Sequence, residues 1–206
     1  MMPLKGMILD QALGFHRSIS FYAMLDQSLK SIFNLIGLIG IISIGIAQTQ
    51  LGSDINGESG EGENFGLSVS MDSDGDRVAV GDELNDGTGT DAGHVRVYEY
   101  SGGSWSQLGA DIDGKTNGDH TGVSVSLDSD GSHVALGSPD NGEGHVRVYE
   151  YSGGSWSQLG ADIDGKAAGD LFGGAVSIDS DGDRVAIGGG ENDGTGSNAG
   201  FARVYE

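Results

Sequence analysis

The sequence predicts an all-β fold in which one four-stranded unit is stacked several times, and three observations carry this prediction. The 23-residue stretch GHVRVYEYSGGSWSQLGADIDGK occurs at residues 93–115 and again, unchanged, at residues 144–166. The 206 residues include 39 Gly and only 2 Pro, which favours many tight turns between short strands. Apolar and small polar residues alternate, as they do along half-buried strands. Such repetition is typical of proteins whose units bury their surfaces on one another.

The repeat region, residues 48–206, aligns as three units that begin near residues 50, 107 and 158. Spacings of 57 and 51 residues are typical of β-propeller blades. The sequence therefore predicts a β-propeller of four-stranded blades, about three of which are visible. Residues 50–57 match a fourth strand, and the chain stops after a third strand. Because propellers usually have 4–8 blades, we expect a fragment of a larger ring; self-assembly of several copies is the alternative if the chain is complete.

The second unit shows how each element is assigned. Its four strands are predicted at residues 122–128 (GVSVSLD), 133–138 (HVALGS), 145–151 (HVRVYEY) and 156–163 (WSQLGADI). DSDG, PDNGEG and SGG join them, and Asp, Asn and Gly tolerate the backbone angles of hairpins. Tyr151 and Trp156 flank the last turn and are expected to pair across it. Small residues, which fit strands crowded around an axis, line one face of each first strand: Ser68, Ser70, Ser124, Ser126, Ala175 and Ser177.

The first 47 residues differ from the repeat region in composition. An apolar run follows Lys30 and ends in small residues before Ala47, which predicts a signal peptide at 31–47. An uncleaved membrane anchor is the alternative. Residues 1–30 form a leader longer than export signals usually carry, and Met24 is an alternative start. We therefore expect a secreted or cell-surface protein.

The charge of the chain restricts its partners. Its 31 acidic and 10 basic residues give a net charge of −21. Such a surface repels nucleic acid and anionic membranes and attracts cations. Nucleic acid is therefore not an expected partner, and membrane contact is expected only through an uncleaved signal.

Two segments carry a family resemblance. FGLSVSMDSDGDRVAVGDE at residues 65–83 and FGGAVSIDSDGDRVAIGGG at residues 172–190 resemble FG-GAP repeats, the blades of the integrin α-chain propeller and of many bacterial exported proteins. The middle unit departs, with Thr121 in place of Phe. The resemblance implies a seven-bladed propeller with a role in adhesion or ligand binding rather than catalysis. Kelch repeats, which also form β-propellers, remain the alternative family, since Tyr149 and Trp156 fit their spacing.

The first hairpin of each unit is a candidate calcium site, because alternate Asp residues place carboxylates on one side of a turn. In calcium-binding FG-GAP repeats this hairpin resembles D-x-D-x-D-G-x-x-D; here Gly falls two positions early, and Val80 or Ile187 holds the closing position. A plain Asp-Gly turn that needs no ion is the alternative. The candidate ligands are Asp72, Asp74, Asp76, Asp128, Asp130, Asp179, Asp181 and Asp183.

No catalytic motif is found, since G-x-S-x-G, H-E-x-x-H, P-loop and G-x-G-x-x-G patterns are missing. His94 and His145 recur where the third unit has Phe201, which indicates packing. The sequence predicts a non-catalytic, exported binding or adhesion module whose ligand is a protein or glycan at the cell surface. A scaffold within a larger secreted enzyme and a structural surface spacer are the alternatives. The loops at residues 85–89 and 192–196 are expected on the binding face.

Overall fold

The alternating pattern of the repeat region forms antiparallel sheets. The computed structural model describes residues 49–58, 63–191, 196 and 199–206, and residues Leu51–Glu206 make one compact unit. No helix long and apolar enough to span a membrane occurs among these residues. The predicted leader (1–30) and signal peptide (31–47) lie outside the described residues, as does most of the 192–196 loop.

Each repeat unit contributes one antiparallel sheet, so the fold is all-β with three sheets. The first sheet contains β1 (Ser68–Met71), β2 (Arg77–Asp82), β3 (His94–Ser101), β4 (Ser104–Gln107) and β5 (Ile112–Asp113). The second contains β6 (Ser124–Leu127), β7 (His133–Ser138), β8 (His145–Ser152) and β9 (Ser155–Asp164). The third contains β10 (Phe172–Ile178), β11 (Val185–Gly189) and β12 (Phe201–Tyr205). Strands follow chain order within every sheet.

The four strands predicted for the second unit are confirmed, with a shorter first strand. Tyr151 pairs with Trp156 across the turn, and their rings lie 5.1 Å apart. In the first sheet the fourth strand is split, because β4 and β5 both pair with β3. The break falls at Gly109, whose φ of 80° lies in the left-handed region that favours glycine. The third sheet has three strands within the described residues.

The hydrophobic core lies between the sheets. We call the face of each sheet that meets the following unit its forward face, and the opposite face its rear face. The forward face of the first sheet carries Val95 and Val97, and it packs against the rear face of the second sheet, which carries Val134 and Leu136. The same arrangement joins the second sheet to the third, where Phe172 is fully buried. Each sheet thus buries one face on the next, as the repetition predicts.

The small residues of the first strands bind the next unit directly. The Ser68 hydroxyl donates to the Gly122 carbonyl at 2.6 Å, and the Ser124 hydroxyl donates to the Gly173 carbonyl at 2.7 Å. Two further serines accept backbone N–H groups from the following unit, Ser70 from Leu127 and Ser126 from Ile178. Neighbouring first strands are therefore joined by a repeated hydrogen-bond pattern as well as by close packing.

The opening segment takes the place of a fourth strand. Trp105 donates its indole N–H to the Leu51 carbonyl at 2.8 Å, and Trp156 donates to the Leu108 carbonyl at the same distance. Residues 50–57 therefore lie against the first sheet as residues 107–114 lie against the second. This placement agrees with the sequence match between the two segments.

Candidate functional site

The connections between strands gather at two opposite ends of the sheets. The end that carries the β1–β2 and β3–β4 hairpins is called the hairpin edge; there the Tyr100 N–H donates to the Asp76 carbonyl at 2.7 Å. The other end, called the loop edge, carries the β2–β3 loops and the connections from one unit to the next. All eight predicted metal ligands lie at the hairpin edge, whereas the predicted binding loop at residues 85–89 lies at the loop edge.

The first Asp of each hairpin caps its own turn. Asp72 accepts, through Oδ1, the backbone N–H groups of Gly75, Asp76 and Arg77 at 2.9–3.1 Å. Asp179 accepts those of Asp183 and Arg184 in the third unit, both at 3.1 Å. The turn therefore closes by hydrogen bonds within the chain. The second carboxylate oxygen of each of these residues is not needed for the cap.

The serine of each DSDG turn links the hairpins of successive units. The Ser73 hydroxyl donates to the Ser129 carbonyl at 2.7 Å, and the Ser129 hydroxyl donates to the Ser180 carbonyl at the same distance. This contact gives the repeated DSDG sequence a structural reason that is independent of any ion. The sequence alone does not reveal it, because the partners lie in different units.

Carboxylates still meet within two of the hairpins. A side-chain hydrogen bond with Asp72 raises the pKa of Asp76, and burial and the negative charge of Asp72 act in the same direction. In the third unit, a side-chain hydrogen bond with Asp179 likewise raises the pKa of Asp183. Two carboxylates that share a small space disfavour full ionisation unless a proton or a cation joins them.

The two carboxylate pairs differ in the cation beside them. Arg184 lies 3.9 Å from Asp179 and 3.7 Å from Asp183, so its guanidinium compensates the pair in the third unit. In the first unit Arg77 instead binds Glu99 at 3.1 Å, together with two backbone carbonyls of the second hairpin. Arg77 is thus directed to Glu99, although its charge still lowers the pKa of Asp76.

The middle hairpin engages both carboxylate oxygens of its first Asp in contacts within the hairpin. His133 occupies the position of Arg77, and its Nδ1 lies 2.7 Å from Asp128 Oδ2. The same Oδ2 also accepts from the Ser132 hydroxyl at 3.3 Å, and Ser132 replaces the third Asp of the other hairpins. Both oxygens of Asp128 are engaged, since Oδ1 accepts the His133 N–H. The remaining predicted ligands are the exposed middle Asp residues Asp74, Asp130 and Asp181.

The loop edge is built from polar contacts between neighbouring loops. Asp119 is buried and accepts the backbone N–H groups of Lys115 and Thr116, which caps the connection between the first two units. The Asn141 amide of the β7–β8 loop donates to the same carboxylate at 2.6 Å. Thr88 of the longer β2–β3 loop donates to the Gly114 carbonyl at 2.8 Å. The β2–β3 and β7–β8 loops differ in length, yet both form hydrogen bonds to the connection between the first two units.

The recurrent arginines of the third strands contact their own sheets and the preceding segments of the chain. Arg96 makes two hydrogen bonds to Asp111, which together with Glu58 raise its pKa. Arg147 donates to the Thr121 hydroxyl at 2.9 Å, and Arg203 lies 4.0 Å from the centre of the Phe201 ring. Arg96 therefore pairs with acids, Arg147 with a hydroxyl, and Arg203 with an aromatic ring.

Comparison with known proteins gives limited information on this site. No family model matches the chain, and no curated protein matches it. Solved structures that it resembles include hydrazine synthase of Kuenenia stuttgartiensis (11% identity, TM-score 0.42), TolB of Acinetobacter baumannii (17%, 0.39) and a candidate 6-phosphogluconolactonase of Bacteroides uniformis (13%, 0.43). These alignments cover 72%, 69% and 68% of this chain but 34%, 32% and 41% of those chains. Similarity this low supports no transfer of function.

Proposed function

We propose that the repeat region is a run of FG-GAP-like β-propeller blades that serves as an exported, non-catalytic binding or adhesion module. The observation that carries the proposal is that units with the same strand sequence have different loops. Residues 93–115 and 144–166 are identical, yet the loops that enter them, residues 83–93 and 139–144, differ in length and sequence. Uniform strands that present unequal loops are typical of repeat scaffolds that bind ligands through those loops.

Two structural features support blades of a propeller. Adjacent first strands contact one another through Ser68 and Gly122, and again through Ser124 and Gly173. Each sheet also packs one face on its neighbour, so every unit relates to the next in the same way. A constant step between sheets, with the first strands in contact, is the geometry that builds a ring of blades.

The ligand we propose is a protein or glycan at the cell surface. The loop of residues 83–93 is polar, with Asn85 buried against its base and Asp86 exposed. Its backbone is held in place, because Asn85 accepts the Gly87 N–H at 2.8 Å and Asp86 accepts the Asp91 N–H at 2.8 Å. A rigid loop loses little entropy on binding, and its carboxylates and amides suit hydroxyl-rich or basic ligands.

Binding by this loop is tested with the fluorescently labelled full chain on a glycan array and on intact cells. A variant in which residues 83–93 are replaced by residues 139–144 is expected to lose the signal. A matched control changes Gly102-Gly103, at the hairpin edge, to Asn-Gly and is expected to bind normally. Equal binding by the loop variant would contradict the assignment of the loop. A chain that binds nothing in either format would favour the surface-spacer alternative.

Calcium is proposed as a stabilising ion at the first hairpin. The residues there fit only in part, because Asp72 and Asp76 bring two carboxylates together while Asp72 Oδ1 is engaged in capping. Ca²⁺ takes 6–8 oxygen ligands, so backbone carbonyls and water would complete the shell. We expect calcium to raise the thermal midpoint and Asp76→Asn to remove that rise. Asp183→Asn is the matched control, because Arg184 already compensates the third hairpin.

A further inference from the structure

The first two sheets share the sequence of their third strands, but the charged residues around these strands differ. On the rear face of the first sheet, Asp82 of β2, His94 of β3 and Asp113 of β5 stand side by side in register. Residues directly opposite one another in adjacent strands point to the same face. Asp111 precedes Asp113 by two residues and binds Arg96 on this face. The row therefore brings three carboxylates and one imidazole together at the loop edge.

The second sheet repeats this row with one acid replaced and with a lysine beside another. His145 again stands opposite its acid, but Ser138 replaces Asp82. Lys115 binds both oxygens of Asp162, the equivalent of Asp111, at 2.7 and 2.8 Å. In the first unit the residue that corresponds to Lys115 is Glu58, which binds Arg96. These two replacements make the first row more negative, although the strands between them are identical.

The charges of the first row are not balanced by the described residues. Arg96 binds two of the acids of this row, and the Arg147 guanidinium of the second sheet donates to the Asp113 backbone carbonyl at 3.0 Å. The row contains four acids: Glu58, Asp82, Asp111 and Asp113. In the second row Lys115 binds Asp162, and Asp164 and the buried Asp119 are the other acids near His145. Asp82 is the buried acid of the row, whereas Asp111 and Asp113 are half-buried and Glu58 is exposed. A buried carboxylate without a cation beside it is unfavourable.

Two buried atoms of the first row lack a hydrogen-bond partner. Asp82 is 0% exposed and His94 is 1% exposed. Asp82 Oδ2 and His94 Nε2 are both buried without a partner within the described part of the chain. His145 Nε2 of the second row also lacks a partner, so Asp82 Oδ2 is the atom that distinguishes the first row. One ring nitrogen of His94 and one carboxylate oxygen each of Asp111 and Asp113 lie within 4.8 Å of one another. Buried polar groups are normally paired, so Asp82 and His94 each offer an atom that can bind a further group.

We propose that His94, Asp111 and Asp113 bind a divalent transition-metal cation at the loop edge of the first sheet, with Asp82 beside them as an acceptor for His94 or for metal-bound water. An imidazole with carboxylates is a ligand set for Zn²⁺ or Mn²⁺, whereas Ca²⁺ takes oxygen ligands. Ligand atoms around a tetrahedral Zn²⁺ stand roughly 3.3 Å apart, given bonds of about 2.0 Å. Arg96 binds both oxygens of Asp111, so one of these bonds gives way when the metal binds. Side-chain rotations that move the ligand atoms by about an ångström then close the cluster around the ion.

The site differs in place and chemistry from the calcium hairpin, which lies at the opposite edge. It adjoins the loop of residues 83–93, because Asp82 and His94 flank that loop in the sequence. A bound metal would fix both ends of the loop proposed to bind the ligand. The metal proposal does not depend on that function, since it rests on the contents of the first row alone.

The test is a titration of the untagged full chain with ZnCl₂ by calorimetry, and with CoCl₂ by visible absorption. One equivalent is expected to bind, with a cobalt d–d band that reports a low-coordinate site. His94→Phe, which introduces the residue found at position 201, is expected to lower zinc affinity by at least about 100-fold, and Asp82→Ser by about 10- to 100-fold. His145→Phe is the matched control and is expected to change affinity by less than about twofold.

Several results would overturn the metal proposal. These are the absence of saturable binding, binding that His94→Phe leaves unchanged, and an equal loss caused by His145→Phe. Circular dichroism of each variant checks that it is folded. If His94→Phe does not fold, Asp113→Asn decides in its place, because it removes a ligand while it keeps the size of the side chain. Excess Ca²⁺ is not expected to displace the zinc.

Discussion

The hydroxyl of Ser124 donates a hydrogen bond to the carbonyl of Gly173 at 2.7 Å, across the boundary between the second and third sheets. Ser68 makes the same bond to Gly122 at 2.6 Å across the preceding boundary. A short polar side chain is needed there, because a longer one would keep the first strands apart. The bond thus explains why small residues recur on one face of β1 and β6.

Ser124→Ala is expected to lower the free energy of unfolding by about 1–2 kcal/mol, because the Gly173 carbonyl would lose its donor. Urea denaturation of the full chain measures the change. Ser106→Ala is the control, since the Ser106 hydroxyl is exposed and lies 3.5 Å from its acceptor. The control is expected to stay within about 0.5 kcal/mol. Equal effects of the two substitutions would show that the boundary bond contributes nothing.

The hydrogen bonds donated by the indole groups of Trp105 and Trp156 provide a second test that successive units share one geometry. Trp105→Phe and Trp156→Phe each remove one N–H donor to a backbone carbonyl and keep most of the ring. Each is expected to cost about 1–2 kcal/mol in unfolding free energy, and the two values are expected to agree within about 0.5 kcal/mol. If Trp105→Phe were neutral while Trp156→Phe was costly, residues 50–57 would not take the place of a fourth strand.

The pH dependence of stability is tested at His145. Burial, and then the charge of Arg147, lower the pKa of His145, while Asp119 and Asp162 oppose this and Lys115 reinforces it. The folded state therefore binds the proton less readily than the unfolded state. Stability is expected to fall as the pH drops below the unfolded histidine pKa of about 6.5. His145→Phe is expected to flatten the stability profile between pH 7.5 and 5; a profile unchanged by it would contradict the pKa shift.

The strands and turns were predictable because their signals are local. Alternation in HVRVYEY and the Gly-rich turns identify β8 and its hairpin without knowledge of other units. The contacts that decide the candidate sites are not local. Ser73 meets Ser129, and Glu58 meets Arg96, over 56 and 38 residues of sequence. The spacing of acids in DSDG could not show that Asp72 caps its own turn, since that depends on how the turn closes.

The row of acids around His94 could not be predicted from the sequence either. His94 and His145 lie in the identical 23-residue stretch, so the sequence gives them one role. The difference arises from Asp82 and Glu58, which lie outside that stretch and reach the row only through strand pairing and packing. In the third unit Phe201 occupies the position of His94 and His145, which agrees with a packing role at that position.

The stacking of the units is tested most directly at one repeated glycine. A Cβ at Gly137 would meet the Gly173 carbonyl oxygen at 1.9 Å, whereas at Gly188, the same position in the third unit, the nearest atom is the Ala175 Cβ at 3.4 Å. The measurement is the free energy of unfolding of Gly137→Ala and Gly188→Ala in urea. We expect Gly137→Ala to lose at least about 2 kcal/mol and Gly188→Ala to change by less than about 0.5 kcal/mol. Equal values for the two variants would contradict the stacking of the second sheet on the third.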